Sequence, residues 1–244
     1  MKIIDSNHYL IDISLSKNVL PTEYPFNLPV IKNLSKLTFH SEVTFLIGEN
    51  GAGKSTLLEA IAIAMGFNAE GGSKNFNFKT KETHSELHEY IKVTKGLNLP
   101  KDGYFLRAET FYNVATEVDN LEYDKSSIYG GKSLHKQSHG ESFISLIGNR
   151  FRGNGLYILD EPEAALSPFN QLKLLSLIQK LVNRNSQFII ATHSPIILGY
   201  PNAEIYTIEK EGINKVNYED TTIYQLNKQF LNNRKSILDE LLKV

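Results

Sequence analysis

A glycine-rich loop between an apolar segment and a helical segment constrains this chain more than any other feature. Residues 46–56 read LIGENGAGKST, with three glycines within six residues followed by Lys-Ser-Thr. Residues 43–47 form a short apolar run typical of a buried strand, and TLLEAIAIAM after the loop is typical of a helix. Glycine allows unusual dihedrals and a close approach to a ligand. The stretch fits G-x-x-x-x-G-K-[ST] and predicts a phosphate-binding loop (P-loop).

The loop defines the candidate nucleotide-binding residues. Its backbone N–H groups are expected to surround phosphates, and the positive end of the following helix dipole favours the same anions. Lys54 is expected to neutralise the β- and γ-phosphates, and Ser55 to ligate Mg²⁺. The alternative, a chance glycine-rich turn, does not explain the flanking strand and helix. The predicted nucleotide-binding residues are Gly48, Glu49, Asn50, Gly51, Ala52, Gly53, Lys54, Ser55 and Thr56.

Composition excludes several classes of protein. The net charge of −1 gives no overall basic field that would attract nucleic acid, although a local basic patch stays open. The chain has no cysteine, which excludes disulfides, thiol catalysis and cysteine-based zinc sites. The sequence has no recognisable signal peptide and no apolar run as long as a membrane span. We therefore expect a cytoplasmic protein without direct membrane insertion.

Apolar strands alternate with helices in the second half of the chain. LYILD and QFIIAT are typical of buried strands, PFNQLKLLSLIQKLVNR between them of an amphipathic helix, and a hairpin is expected to turn at Glu211 and Gly212. This pattern predicts an α/β fold with a mostly parallel sheet flanked by helices. The 244 residues suit one domain. We expect a core at about 1–67 and 150–244, β-rich at its N-terminal end, with an inserted lobe at about 68–149.

Two carboxylates directly follow the strand LYILD. Ligands bind at the carboxyl ends of strands in open α/β sheets. Asp160 is therefore expected to hold Mg²⁺, and Glu161 to polarise the attacking water. The alternative is a strand that simply ends in a solvated turn, and the upstream P-loop favours the catalytic interpretation. Glu163, beyond Pro162, is expected to be solvated or to be a charge at a helix start.

The order of these motifs resembles the ABC-type P-loop ATPases, and in particular the small stand-alone bacterial ATPases labelled AAA-type. Before LYILD, a turn Gln-Ser-His-Gly-Glu opens a helix at residues 137–141, where the family has its LSGGQ signature. The resemblance implies that Ser138, Gly140 and Glu141 cap the γ-phosphate bound by a partner copy, in an ATP-dependent homodimer. The alternative is an ordinary serine-capped helix start.

The resemblance also suggests roles for residues outside these motifs. His193, after the strand QFIIAT, is similar to the switch histidine that contacts the γ-phosphate. AALSP resembles the dimer-contacting D-loop, with Ser167 where aspartate is usual. The Q-loop glutamine is not evident, and Glu109 lies in about the right interval. Tyr24 or Phe26 either stack on adenine or belong to the core.

Three functions are compatible with these motifs. The preferred one is a soluble ABC-type ATPase that hydrolyses Mg-ATP and drives or switches a protein or nucleic-acid partner, DNA included. The alternative is the nucleotide-binding subunit of a membrane ABC transporter, against which the missing Q-loop glutamine counts. A nucleotide-dependent binding module without turnover is disfavoured by Glu161. Chromosome-maintenance ATPases insert long coiled coils between the P-loop and the signature. The interval from Lys54 to Ser138 is too short for such an insertion and has no sustained heptads, so these coiled coils are excluded.

Overall fold

The computed structural model describes residues 8–16, 22–73, 85–109, 111, 116 and 138–242. Two short 3₁₀ turns, Pro162–Ala165 and Tyr218–Asp220, accompany the strands and α-helices of these residues. In chain order the strands and helices are β1 (Leu10–Leu15), α1 (Pro29–Lys32), β2 (Lys36–Thr38), β3 (Val43–Gly48), α2 (Lys54–Ala64), α3 (Leu87–Tyr90), β4 (Ile91–Lys95), β5 (Asp102–Arg107), α4 (His139–Arg150), β6 (Gly155–Asp160), α5 (Pro168–Val182), β7 (Gln187–Ala191), α6 (Pro195–Leu198), β8 (Glu204–Ile208), β9 (Ile213–Val216) and α7 (Thr222–Leu242).

A six-stranded sheet in the order β5-β6-β7-β3-β8-β9 forms the centre of the fold. The pairs from β5 to β8 are parallel, and β9 runs antiparallel to β8 as the second strand of the expected hairpin. The predicted α/β fold with a mostly parallel sheet is confirmed. Parallel strands end at the same edge of a sheet, so the loops after β3, β6 and β7 emerge side by side.

Both faces of the large sheet are buried, as is usual for parallel strands. Along β6, alternate side chains enter opposite hydrophobic clusters, with Tyr157 and Leu159 on one face and Leu156 and Ile158 on the other. Helices α4, α5 and α6 pack on the first face. Helix α2 packs on the second face together with the small sheet. Within the described residues, no helix has both the length and the apolar character needed to cross a bilayer.

A second, antiparallel sheet has the order β2-β1-β4. Its third strand, β4, and the edge strand β5 of the large sheet both come from the interval in which we expected an inserted lobe. Two strands of that interval therefore take part in the two sheets. The division of the chain into a single domain with a lobe stays a prediction. The stretch FYNVATEV at residues 111–118 is typical of a helix, and most of it lies outside the described residues.

One buried amide joins the two sheets. Gln187 at the start of β7 is fully buried. Its Oε1 accepts hydrogen bonds from the backbone N–H groups of Tyr9 and Leu10, at 3.1 and 2.9 Å. Its Nε2 donates to the carbonyl oxygens of Leu10 and His40, at 2.8 and 2.9 Å. All four hydrogen-bonding positions of the amide are satisfied.

Replacing Gln187 with alanine should therefore destabilise the protein. The substitution leaves two buried N–H groups and two carbonyl groups without partners, and we expect the free energy of unfolding to fall by about 2–5 kcal/mol. Urea unfolding of Gln187→Ala measures this. Gln229→Ala, on the exposed surface of α7, is the control and should stay within about 0.5 kcal/mol of the wild type. Equal stability of the two variants would contradict the bridging role.

Candidate active site

The P-loop closes around the side chain of its own lysine. Gly53 precedes α2 with φ +96°, and a Cβ there would lie 2.6 Å from Cγ1 of Val30, so this position requires glycine. Lys54 is buried, and its Nζ donates to the carbonyl oxygens of Gly48 and Glu49 at 2.7 and 3.0 Å. Burial lowers the pKa of Lys54, and the carboxylate of Glu161 opposes that shift. The ammonium is thus enclosed by the loop that is predicted to bind phosphate.

Ser55 and Asp160 meet as the sequence predicts. Ser55 Oγ, in the first turn of α2, donates to Oδ1 of Asp160 at 3.0 Å. Asp160 ends β6 and is 5% exposed. Burial raises its pKa to about 6, while the nearby Arg107 opposes the shift. A hydroxyl beside a buried carboxylate is an oxygen donor set that suits Mg²⁺.

Arg107 is a residue of this site that sequence reasoning missed. It ends β5 directly opposite Asp160 in the parallel register. Its Nη1 lies 2.8 Å from Oε2 of Glu59, its Nε 3.6 Å from Oδ2 of Asp160, and its Nη2 3.7 Å from Oε2 of Glu109. A single cation at the end of the apolar run GYFL was the signal available in the sequence.

Glu161 and His193 lie next to each other at the carboxyl edge of the sheet. Oε1 of Glu161 is 3.5 Å from Nε2 of His193. Glu161 takes a left-handed conformation, with φ 49° and ψ 52°, and its N–H donates to the carbonyl oxygen of Ala191 at 3.0 Å. Such a conformation costs energy for a residue other than glycine and is frequent at functional sites. The side chain of Glu161 is 41% exposed, in contrast to the buried Asp160 before it.

The structure agrees with one of the two expectations for Glu163 and adds contacts that the sequence did not suggest. This residue does lie in the first turn of Pro162–Ala165, but it is not a solvated charge. Its carboxylate accepts hydrogen bonds from Oγ1 of Thr192, at 2.8 Å, and from the backbone N–H of His193. Thr192 and His193 are remote in sequence, so no local pattern could have predicted this contact.

A cavity of about 310 Å³ unites the predicted metal site and the predicted catalytic base. Ser55, Asp160 and Glu161 line it. His139, to which sequence analysis assigned no role, and Glu109, suggested only by its interval in the chain, line the same cavity. The remaining lining residues are Ala108, Ala164 and Ala165.

Comparison with known proteins agrees with this geometry. The family described as "AAA domain" matches residues 26–243. Protein McbF of Escherichia coli is 26% identical over 93% of this chain and 94% of its own length. The energy-coupling factor transporter ATP-binding protein EcfA2 of Methanospirillum hungatei is 25% identical over 78% of this chain and 51% of its own length. Among solved structures, CbiO1 of Clostridium perfringens superposes with a TM-score of 0.54 at 16% identity, over 97% of this chain and 100% of that one.

The chain belongs to the AAA domain family. Its sequence is similar to ATP-binding proteins of transporters, and its fold is similar to that of CbiO1. ABC-type ATPases generally use Mg-ATP. The chain spans about half of EcfA2 and 35% of a Bacillus thuringiensis relative.

The predicted signature segment forms a capped helix start. Ser138 Oγ accepts from the N–H of Glu141 at 3.4 Å, and Oε2 of Glu141 accepts from N and Oγ of Ser138 at 3.1 and 2.7 Å. A Cβ on Gly140 would lie 2.9 Å from the carbonyl oxygen of Ala165, so α4 packs closely on the segment after Glu161. The serine cap is therefore present, and the contact with a partner's nucleotide stays a prediction. Gln137 lies outside the described residues.

The two aromatic residues considered for adenine stacking occupy different environments. Phe26 is buried and packs edge-on against Tyr90 with 4.8 Å between ring centroids, so of the two alternatives for this residue the structure supports the core. Tyr24 is 64% exposed, and its hydroxyl lies 3.4 Å from Oγ1 of Thr56. Tyr24 therefore stays the predicted adenine-stacking residue of the ATPase.

Burial of Asp160 should reduce the stability of the nucleotide-free ATPase at neutral pH. Because the pKa rises on folding from 3.8 to about 6, the folded protein disfavours the ionised form, and stability is lost as pH rises through about 6. We expect Asp160→Asn to have a higher Tm than the wild type at about pH 7.5 without nucleotide or metal, and the difference to shrink towards about pH 4. Calorimetry over this range tests it, with the exposed Asp239→Asn as control. A lower Tm for Asp160→Asn at about pH 7.5 would contradict it.

Proposed function

We propose that this chain binds Mg-ATP at the P-loop and hydrolyses it at the edge of the large sheet. The observation that carries the proposal is the Ser55–Asp160 hydrogen bond of 3.0 Å beside the buried Lys54. It brings the predicted phosphate and metal ligands of two distant segments together. We infer that Ser55 and Asp160 hold Mg²⁺, which when bound neutralises charge on the β- and γ-phosphates.

The protein groups divide the chemistry between them. Lys54 and the N–H groups at the start of α2 bind the phosphates. Glu161 orients a water molecule in line with the γ-phosphate and accepts its proton as general base. His193, 3.5 Å from the carboxylate of Glu161, is close enough to donate to a γ-phosphate oxygen from the same side. The charge that develops on the transferred phosphoryl group thus meets donors that are already in place.

Glu161→Gln should separate binding from hydrolysis. The amide keeps the shape of the side chain but cannot accept the proton, so we expect ATP affinity within about threefold of the wild type and single-turnover hydrolysis slower by about 100-fold or more. Lys54→Ala should instead lose ATP binding. Fluorescent-nucleotide titration and single-turnover hydrolysis measure the two effects. Wild-type hydrolysis by Glu161→Gln would remove Glu161 from the role of base.

We further propose that the active form is an ATP-sandwich homodimer in which Ser138, Gly140 and Glu141 face the partner's γ-phosphate. This follows from the family resemblance and is supported by the exposed position of Ser138 at the start of α4. Sedimentation of Glu161→Gln with Mg-ATP should detect a dimer that Mg-ADP does not support. A monomer under both conditions would overturn the sandwich.

The biological role that we propose is that of the ATP-binding subunit of a transport system. It is supported by the name of EcfA2, an energy-coupling factor transporter ATP-binding protein. The second candidate is an ATPase that drives a protein or nucleic-acid partner without a membrane component. It is favoured by Glu109, whose exposed carboxylate follows β5 where a transporter ATPase would be expected to have a Q-loop glutamine.

Purification with bound partners distinguishes these two roles. If the chain is a transporter subunit, affinity purification of Glu161→Gln from detergent-solubilised cells of its source should recover an integral membrane protein. That protein should stay bound in Mg-ATP through a high-salt wash. Recovery of DNA or of a non-membrane enzyme alone would favour the second candidate, with Lys54→Ala as the control for nucleotide-dependent association.

A further inference from the structure

Glu163 joins the two segments that carry Glu161 and His193. Its carboxylate, on the turn after Glu161, accepts from Oγ1 of Thr192 and from the N–H of His193. Thr192 is fully buried and follows β7. Oγ1 of Thr192 also accepts from the N–H of Ser194 at 3.0 Å, so the contact fixes three consecutive residues after β7.

A second, uncharged link runs parallel to the first. Ser194 Oγ donates to Oε1 of Gln171 at 2.6 Å, and Nε2 of Gln171 donates to the carbonyl oxygen of Leu166 at 3.0 Å. Gln171 and Ser194 are both buried. The segment 163–166 is thus tied twice to the segment 192–194. The second link leaves the fold supported when Glu163 is replaced.

We propose that Glu163 is a positioning residue of the ATPase reaction. Its carboxylate fixes the backbone of His193, and this sets the imidazole relative to Glu161, 3.5 Å away. The inference rests on the proposed function, in which Glu161 and His193 act on the γ-phosphate and the attacking water. In this proposal Glu163 contacts neither the γ-phosphate nor the attacking water, and it acts through His193.

The chemistry at this point calls for a carboxylate. Both groups that meet Glu163 are donors, and an ionised carboxylate accepts two hydrogen bonds without rearrangement. A hydrogen bond from a backbone N–H to a charged acceptor is also stronger than a neutral one. Glutamine has one oxygen for the two donors, and its NH₂ group faces a Thr192 oxygen that already accepts from Ser194. A glutamine at this position keeps part of the link and alanine removes all of it.

The first test is a kinetic double-mutant cycle between Glu163 and His193. In the wild-type background Glu163→Ala should lower kcat by about tenfold and leave KM for ATP within about twofold. In a His193→Ala background the same change should alter kcat by less than about twofold, because the residue through which Glu163 acts is gone. Glu163→Gln should lie between Glu163→Ala and the wild type. The control is Glu219→Ala, an exposed glutamate at the second position of the other 3₁₀ turn, with wild-type kinetics expected.

The proposal is overturned if Glu163→Ala lowers kcat by the same factor in the His193→Ala background as in the wild type, since a general structural defect gives that result. So would a wild-type kcat for Glu163→Ala. If Glu163→Ala does not fold, the same cycle with Glu163→Gln decides the question by the same criterion.

The second test does not depend on turnover. Hydrogen exchange of the His193 amide, measured without nucleotide, should be faster by about tenfold or more in Glu163→Ala and unchanged in Glu219→Ala. Unchanged exchange in Glu163→Ala would overturn the inference. Absence of ATP hydrolysis by the wild type would instead overturn the proposed function while the exchange result still stood, so the two failures are distinguishable.

Discussion

The hydrogen bond between Ser55 and Asp160 depends on most of the architecture around it. It requires the first turn of α2 to lie over the end of β6, although β7 separates β6 from the strand that leads into α2. Parallel pairing brings these strand ends to one edge, and burial of both sheet faces fixes their relative height. A shift of one residue in β6 would reverse its two faces and carry Asp160 away from the P-loop. The packing of the core and the placement of the candidate metal ligands are therefore one constraint.

Placing several carboxylates at this edge costs electrostatic free energy, and the neighbouring positive charges offset that cost in part. Asp160 is buried, and Glu161 next to it raises the pKa of Asp160 further. Arg107 offsets this by lying between Asp160 and Glu59. The ammonium of Lys54 lies within the electrostatic reach of Asp160, Glu161 and Glu163. In the complex that we propose, Mg²⁺ would favour the ionised form of Asp160 and so offset part of the cost of burying this carboxylate.

The sequence predicted the parts of the site that depend on local order and left out those that depend on the sheet. The P-loop and the strand before Asp160 have local signals, so both were placed correctly. Arg107 and Glu163 act through partners across strand pairs, at Asp160 and Thr192, and no spacing rule reports such contacts. Strands β4 and β5 were missed as parts of the two sheets because their partners lie outside the interval expected to form a lobe. Phe26 could not be assigned from sequence for a related reason, since an aromatic residue before a P-loop has the same local signal in the core as beside a nucleotide.

The capped start of α4 places a condition on the proposed signature. The hydroxyl of Ser138 donates to the carboxylate of Glu141 at 2.7 Å, and that carboxylate also accepts from the Ser138 N–H. These hydrogen bonds lower the pKa of Glu141, so the group stays anionic. An anion in this position repels a γ-phosphate, and a hydroxyl that donates to Glu141 is not free to donate to phosphate. Binding a partner's nucleotide here therefore requires the Glu141 side chain to swing away, which releases the Ser138 hydroxyl and N–H together and leaves the positive end of the α4 dipole facing the phosphate.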